Sequence, residues 1–153
     1  TYGANGIWQL NEPGKPYGAS PHGRSWGSTP WTEAMNLPGS RQMGIGRKFI
    51  ERFEWWKLER HPEWLEDMPN PEEALSPVAC GVPGKLRIVY VPMLWDSPTI
   101  AHFENSVSYN AYYFDPRIGQ DVPIGAVTPD DGGLWRPPFP PEVGDWLLVL
   151  TAG

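Results

Sequence analysis

The sequence predicts a mixed fold, α/β plus all-β: the last βα unit of a (β/α)8 TIM barrel followed by a C-terminal antiparallel β-sandwich. Three observations lead there. The chain changes character near Pro69-Asn70-Pro71, from a strand–loop–helix pattern to short β runs. Its 19 Pro and 17 Gly are joined by 9 Trp, 6 Tyr and 5 Phe. Disordered chains lack such large apolar side chains, so this is a folded, loop-rich protein with rigid turns. Finally, residues 1–68 hold one strand and one or two helices, too little to bury a core alone, whereas a sandwich over 69–153 can bury its own. The expected division is therefore 1–68, a barrel piece, and 69–153, an accessory β-sandwich.

In the first segment, Ala4 to Leu10 is a short apolar run between turn formers and reads as a buried strand. Asn11 to Pro30 has neither helical nor strand period, and a loop of that length in a compact domain is usually functional. Thr29-Pro30-Trp31-Thr32-Glu33 reads as a helix cap, a proline at the first helical position and a carboxylate in the first turn. The chain restarts at Leu37-Pro38-Gly39. Met43, Gly46, Phe49, Ile50 and Phe53 recur at helical spacing and form one face. Gly44 and Gly46 each weaken a helix by roughly 1 kcal/mol relative to Ala, which predicts a close neighbour there. Short helical pieces are expected around Glu54–Arg60 and Pro62–Glu66.

Beyond Pro71 the strands expected are Val78–Val82, Leu86–Val91, Thr99–Phe103, Tyr109–Phe114, Val122–Val127 and Asp145–Leu150. Leu86, Ile88 and Tyr90 share one face of their strand, and Arg87, Val89 and Val91 the other. Asp115-Pro116-Arg117-Ile118-Gly119 has the residue order of a turn. Pro123 marks its strand as an edge.

Composition narrows the function classes. A net charge of −6 and a pI near 5.0 argue against a nucleic-acid partner, whose phosphates require Lys and Arg. No window of 18 apolar residues exists, so no helix is expected to span a membrane. The lone Cys80 excludes an internal disulfide and a Cys-based zinc site, and it reads as an inert core residue. His22, His61 and His102 lack metal-ligand spacing, and Asp130-Asp131-Gly132-Gly133 reads as a plain turn, so neither metal nor cofactor is expected. Thr1 to Gly6 has no Met and no basic or apolar stretch of a signal peptide; a processed or truncated chain is the expectation.

Several segments resemble a known family. Tyr2-Gly3-Ala4-Asn5-Gly6-Ile7-Trp8-Gln9, Pro30-Trp31-Thr32-Glu33-Ala34-Met35 and Leu37-Pro38-Gly39-Ser40-Arg41-Gln42-Met43 are similar to the end of the catalytic barrel in apiosidase-like glycoside hydrolases. Tyr112-Tyr113-Phe114-Asp115-Pro116-Arg117-Ile118-Gly119 and Asp145-Trp146-Leu147-Leu148-Val149-Leu150 resemble the sandwich that follows that barrel, a domain often labelled collagen-binding. The resemblance implies a retaining-type carbohydrate hydrolase whose main catalytic carboxylates lie on earlier strands, before the Tyr2-Gly3 segment. No catalytic residue is then assigned within this chain, and the partner is the N-terminal barrel segment or a separate catalytic polypeptide.

Asn11-Glu12-Pro13 also looks like the acid/base motif of other barrel glycosidases. Hydrolysis requires two carboxyls, ~5–5.5 Å apart for retention, and a three-residue match is weak, so Glu12 is a minor candidate. The stronger one is the aromatic loop. Sugar rings present apolar C–H faces that Trp and Tyr cover while polar neighbours bind hydroxyls. Trp8, Gln9, Tyr17, His22, Arg24 and Trp26 are the expected carbohydrate contacts, Trp26 foremost. Trp8 reads equally well as barrel core, and Trp31 reads as packed under the helix. The sandwich is expected to buttress the barrel, with Trp55, Trp56, Trp64, Trp95 and Trp135 at the seam. A second class, a non-catalytic carbohydrate- or protein-binding module, is compatible with the same sandwich.

Overall fold

The computed structural model describes residues 11–14, 29–66, 70, 73, 75–92 and 97–153. The chain forms two compact units, Thr1–Ile50 and Glu51–Gly153. The strand expected over 4–10 lies outside the described residues.

In the first unit, helix α1 (Trp31–Ala34) is a single turn and helix α2 (Pro38–Ile50) a full one. Pro30, not Thr29, stands at the cap of α1 and no side chain caps it. The reason is that the Trp31 amide is already engaged, donating to the Asn11 carbonyl at 2.9 Å. The chain restarts at Pro38 as expected, a residue without an N–H to satisfy at a position that would leave it unpaired. Arg47 and Lys48 in the last turn of α2 complement its dipole. Phe49 is buried, but Met43 is 44% exposed. A Cβ at Gly44 or Gly46 would meet nothing within 4 Å among the described residues, so the close neighbour expected there is not found. Trp31 is 49% exposed and does not pack under the helix.

The second unit is built on one six-stranded antiparallel sheet. Its strands are β1 (Glu59–Arg60), β2 (Val78–Val82), β3 (Leu86–Val91), β4 (Tyr109–Asp115), β5 (Gln120–Ala126) and β6 (Trp146–Ala152), in the order β1-β2-β3-β6-β4-β5. The last strand in sequence thus lies in the middle, which suits its unbroken run Trp146-Leu147-Leu148-Val149-Leu150. Strand β5 is an edge, as Pro123 required, and its register against β4 slips between Ala111 and Tyr112. Glu59–Arg60, expected as helix, instead pairs with Gly81 and Cys80. The body of the sheet therefore begins before the expected boundary at 68/69. Between them, Trp55–Lys57 and Pro62–Trp64 are short 3₁₀ turns.

The expected strand Thr99–Phe103 is reduced to one residue. Ile100 bridges Leu65 on one side and Trp135 on the other. Among the described residues this three-segment seam, not a second full sheet, covers the sheet's core face. Proline explains the difference: Pro98, Pro129, Pro137, Pro138, Pro140 and Pro141 have no N–H to extend a ladder. Under the seam lie Val89, Val91, Tyr109, Tyr113, Trp146, Leu148 and Leu150, all nearly inaccessible.

At the centre of that layer sits a cation. The Arg87 side chain is fully buried, with its guanidinium 4.3 Å from the Trp64 ring, 4.6 Å from Phe103 and 5.6 Å from Tyr109. It donates to the Ala101 carbonyl at 2.8 Å, to the His102 carbonyl, and to Glu104 Oε2 at 2.9 Å. Tyr109 donates its hydroxyl to the same carboxylate oxygen at 2.6 Å, and the Gly84 amide donates to Oε1 at 3.0 Å. Burial pushes the Glu104 carboxyl up, but the Tyr109 and Arg87 hydrogen bonds outweigh it and hold the group down at about 2. Burial and the neighbouring Glu104 together push the Tyr109 phenol up to about 12. Trp64 is wedged in by its neighbours: His61 stacks on it at 4.0 Å, and a Cβ at Gly81 would meet its ring at 2.8 Å and the Leu86 carbonyl closer still.

Two consequences are measurable. A carboxyl at about 2 in the folded protein and at its ordinary 4.5 in the unfolded chain stabilises the fold above pH 4.5 and loses that contribution as pH falls toward 2. Solvent screening at the partly exposed carboxylate keeps this contribution to at most about 3 kcal/mol by linkage. Urea midpoints measured from pH 6 to pH 2 should fall steeply in the wild type and flatten in Glu104→Gln; equal slopes would contradict the assignment. Gly81→Ala should cost about 1–3 kcal/mol through overpacking against Trp64, read as a lower urea midpoint at unchanged slope.

Candidate functional site

The predicted contacts Trp8, Gln9, Tyr17, His22, Arg24 and Trp26 lie outside the described residues. The structure describes residues 11–14 and 29–66, which flank part of that segment. Asn11 is 1% exposed and binds the other end of the loop twice: its carbonyl accepts from the Trp31 amide at 2.9 Å, and its Nδ2 donates to the Thr29 carbonyl at 3.2 Å. Residue 11 is thereby tied to residues 29 and 31 by one backbone and one side-chain hydrogen bond. Asn suits this because its amide offers a donor while its backbone stays available. Glu12 follows it, exposed, ahead of Pro13 and of Gly14 at φ 72°.

A second concentration of chemistry lies in the sheet unit, at the β4–β5 turn, and was read from the sequence only as a turn. The Asp115 carboxylate accepts from the Arg117 amide at 2.8 Å, and the Gly119 amide closes the turn on the Asp115 carbonyl at 2.8 Å with Gly119 at φ 77°. The two-residue spacing then folds Arg117 back onto Asp115 as a fork: Nε to Oδ1 at 2.9 Å and Nη2 to Oδ2 at 2.6 Å. The Arg117 hydrogen bonds hold the Asp115 carboxyl below the usual carboxylate range, and Asp115 in turn pushes Arg117 up. The guanidinium stands 5.5 Å over Trp146 and reaches Glu142 Oε2 at 3.4 Å.

These side chains border a pocket of about 400 Å³, lined also by Ile118, Gln120, Val122 and Pro141. Its far wall is held from beneath. Tyr113 donates its hydroxyl to the Pro138 carbonyl at 2.9 Å, Trp146 donates its indole N–H to the Glu142 carbonyl at 2.9 Å, and the two rings meet edge to face. The signal available in the sequence was the Asp-x-Arg spacing beside a strand that opens on Trp. Nothing local, however, brings Trp146 to Arg117; the pairing of β4 with β6 does so.

Other candidates resolve into structure. Asp130 accepts from the Gly132 and Leu134 amides, both at 2.9 Å, as a turn former. Among the described residues no group of His, Cys, Asp or Glu is placed to hold a metal ion. His61 pairs with Glu63 at 2.7 Å. Burial pushes the Cys80 thiol up, keeping it protonated near neutral pH. Trp64 belongs to the core and Trp135 packs against it. Trp55 and Trp56 are exposed and meet edge to face, and Trp95 lies outside the described residues.

With that geometry in hand, the comparisons locate the chain first by fold class. It aligns over 99% of its length with a solved structure described as a glycoside hydrolase, at TM-score 0.74 and 20% identity. A glycoside hydrolase family 5 protein from Bacteroides vulgatus aligns equally well, at TM-score 0.73 and 20% identity over 99% of this chain. The chain spans about a third of the length of either, 32%. Residues 1–57 match the family model described as "Apiosidase-like, catalytic domain", so the resemblance to the apiosidase-like glycoside hydrolases stands. No curated protein matches the sequence.

The exposed position of Glu12 leads to one expectation. In any glycoside hydrolase that contains this chain, Glu12→Gln should leave the initial rate within about twofold of wild type. A catalytic acid/base would instead lose about 10²–10⁴-fold, and initial rates on an aryl glycoside separate the two outcomes.

Proposed function

We propose that this chain is the C-terminal portion of an apiosidase-like glycoside hydrolase. In this reading, residues 1–57 supply the last strand, the long substrate loop and the last helix of a TIM barrel, and the antiparallel sheet body follows as an accessory domain. The observation that carries it is a mismatch of coverage: nearly all of this chain aligns with glycoside hydrolase structures, yet it spans 32% of their length, and the catalytic-domain family matches it only over 1–57.

Glycoside hydrolysis requires a proton donor and a second carboxylate flanking the scissile bond. In this reading both come from the segment that precedes Thr1 or from a separate polypeptide. This chain's contribution is positioning. The clamp at Asn11 fixes the base of the loop, and Trp8, Tyr17 and Trp26 cover the apolar face of a sugar. Gln9, His22 and Arg24 bind its hydroxyls. Holding the substrate this way lowers the entropic part of the barrier without chemistry from the loop itself.

The test compares the 153-residue chain with the longer polypeptide. The short chain should hydrolyse no aryl glycoside, and the longer one should. In the longer one, Trp26→Ala should lower kcat/KM about ten- to a hundredfold, equivalent to about 1.4–3 kcal/mol. Hydrolysis by the short chain would overturn the reading, and unchanged kinetics would remove Trp26 from the site.

A further inference from the structure

We propose that the pocket at the β4–β5 turn is a second carbohydrate site, one that takes a single unit of a neutral saccharide through a vicinal pair of hydroxyls. The choice of ligand class rests on the glycoside hydrolase reading above; the site itself rests on four features of the sheet unit.

The first is size. About 400 Å³ falls in the range of small-molecule sites, roughly 300–1,000 Å³. The second is amphipathicity. Ile118, Val122 and Pro141 form apolar walls, while Arg117, Glu142 and Gln120 bring polar groups to the same space, matching a sugar ring with one C–H face and an edge of hydroxyls.

The third feature is charge, which decides between ligands. Arg117 is not a free cation: Nε and Nη2 are engaged by Asp115, and Glu142 adds another carboxylate within 3.4 Å. One guanidinium against two carboxylates leaves the pocket net negative, so a phosphate, a uronate or an acidic peptide is repelled. What remains is Nη1, which has no hydrogen-bonding partner among the described residues, and the Glu142 carboxylate, 72% exposed. A donor beside an acceptor binds two adjacent hydroxyls without any group changing its charge. Space at Nη1 is kept open by Gly144, where φ is 159° and a Cβ would come within 3.3 Å of that nitrogen.

The fourth is rigidity. The indole N–H of Trp146 and the hydroxyl of Tyr113 hold the loop at Glu142 and Pro138, so little ordering is needed on binding. That pinned loop nonetheless exposes Phe139 (65%) and Val143 (64%), and Ile118 across the turn is 60% exposed. An apolar rim around a polar notch offers a longer glycan chain a surface on which to continue.

The experiment uses the whole chain, with the Trp146 indole N–H and the Arg117 Nε–H as NMR reporters. The probes are neutral xylo-, gluco-, manno-, galacto- and arabino-oligosaccharides, oligogalacturonate and an acidic peptide. At least one neutral oligosaccharide should shift both signals saturably, with a Kd of about 1 mM or tighter. Ile118→Asp and Gln120→Ala, both at exposed positions, should weaken that binding about tenfold or more while leaving the rest of the spectrum unchanged. Unmoved signals across the neutral panel, or a shift produced only by the oligogalacturonate or the peptide, would overturn the proposal. The same holds for a shift that survives both substitutions. The enzymatic reading is scored separately: a silent pocket in a protein with Trp26-dependent hydrolysis sinks this site alone, whereas a titrating pocket without hydrolysis in the longer polypeptide sinks the catalytic reading alone.

Discussion

The sheet unit depends on a charge kept away from water. Placing the Arg87 guanidinium in the core carries a desolvation penalty of several kcal/mol that its close partners must offset. Three ring faces, two backbone carbonyls and one carboxylate surround it, while its buried Nε has no hydrogen-bond partner among the described residues. Each partner comes from a different part of the chain. Trp64 comes from the 3₁₀ turn before β2, Ala101 to Glu104 from an irregular segment, and Tyr109 from β4. The cation therefore does the work that a second sheet does in a β-sandwich. It ties segments that cannot form a ladder to the face of one that does.

The same logic operates at the Pro-rich loop between β5 and β6. Its prolines forbid ladder pairing, so the sheet holds it by side chains, Tyr113 and Trp146 reaching outward from adjacent strands. Burial pushes the Tyr113 phenol up to about 12, against a lowering hydrogen bond with Ser97. The result is an irregular backbone with fixed position, the kind of scaffold on which binding groups are placed without large ordering cost. In the first unit Asn11 joins the backbone at Thr29 and Trp31 in the same way, with one buried amide and one carbonyl in place of a ladder.

Much of this was legible in the sequence. The runs at Val78, Leu86, Tyr109 and Trp146 became strands within a residue or two of their expected ends, and the turn at Asp115 formed as its residue order required. So did the restart at Pro38 and the edge at Pro123. These features are local: alternation, a missing N–H, or a glycine at positive φ. Failures occurred where a distant partner overrode the local signal. Glu59–Arg60 reads as helix but pairs with β2, and Thr99–Phe103 reads as a strand but finds only single bridges. Trp31 reads as a buried anchor, yet half its surface is open.

The sequence by itself determined the antiparallel β class of the second unit, the strand-forming segments and their turns, and the resemblance of the segments between Tyr2 and Met43 to apiosidase-like glycoside hydrolases, because each rests on neighbours in the chain. Only the tertiary structure decided that β6 lies between β3 and β4, that Arg87 is a buried hub rather than a surface charge, and that Arg117 and Trp146 share a pocket. Those outcomes depend on pairings between residues dozens of positions apart. No periodicity carries such pairings, since they are set by which packing of the whole sheet leaves the fewest buried polar groups unmatched.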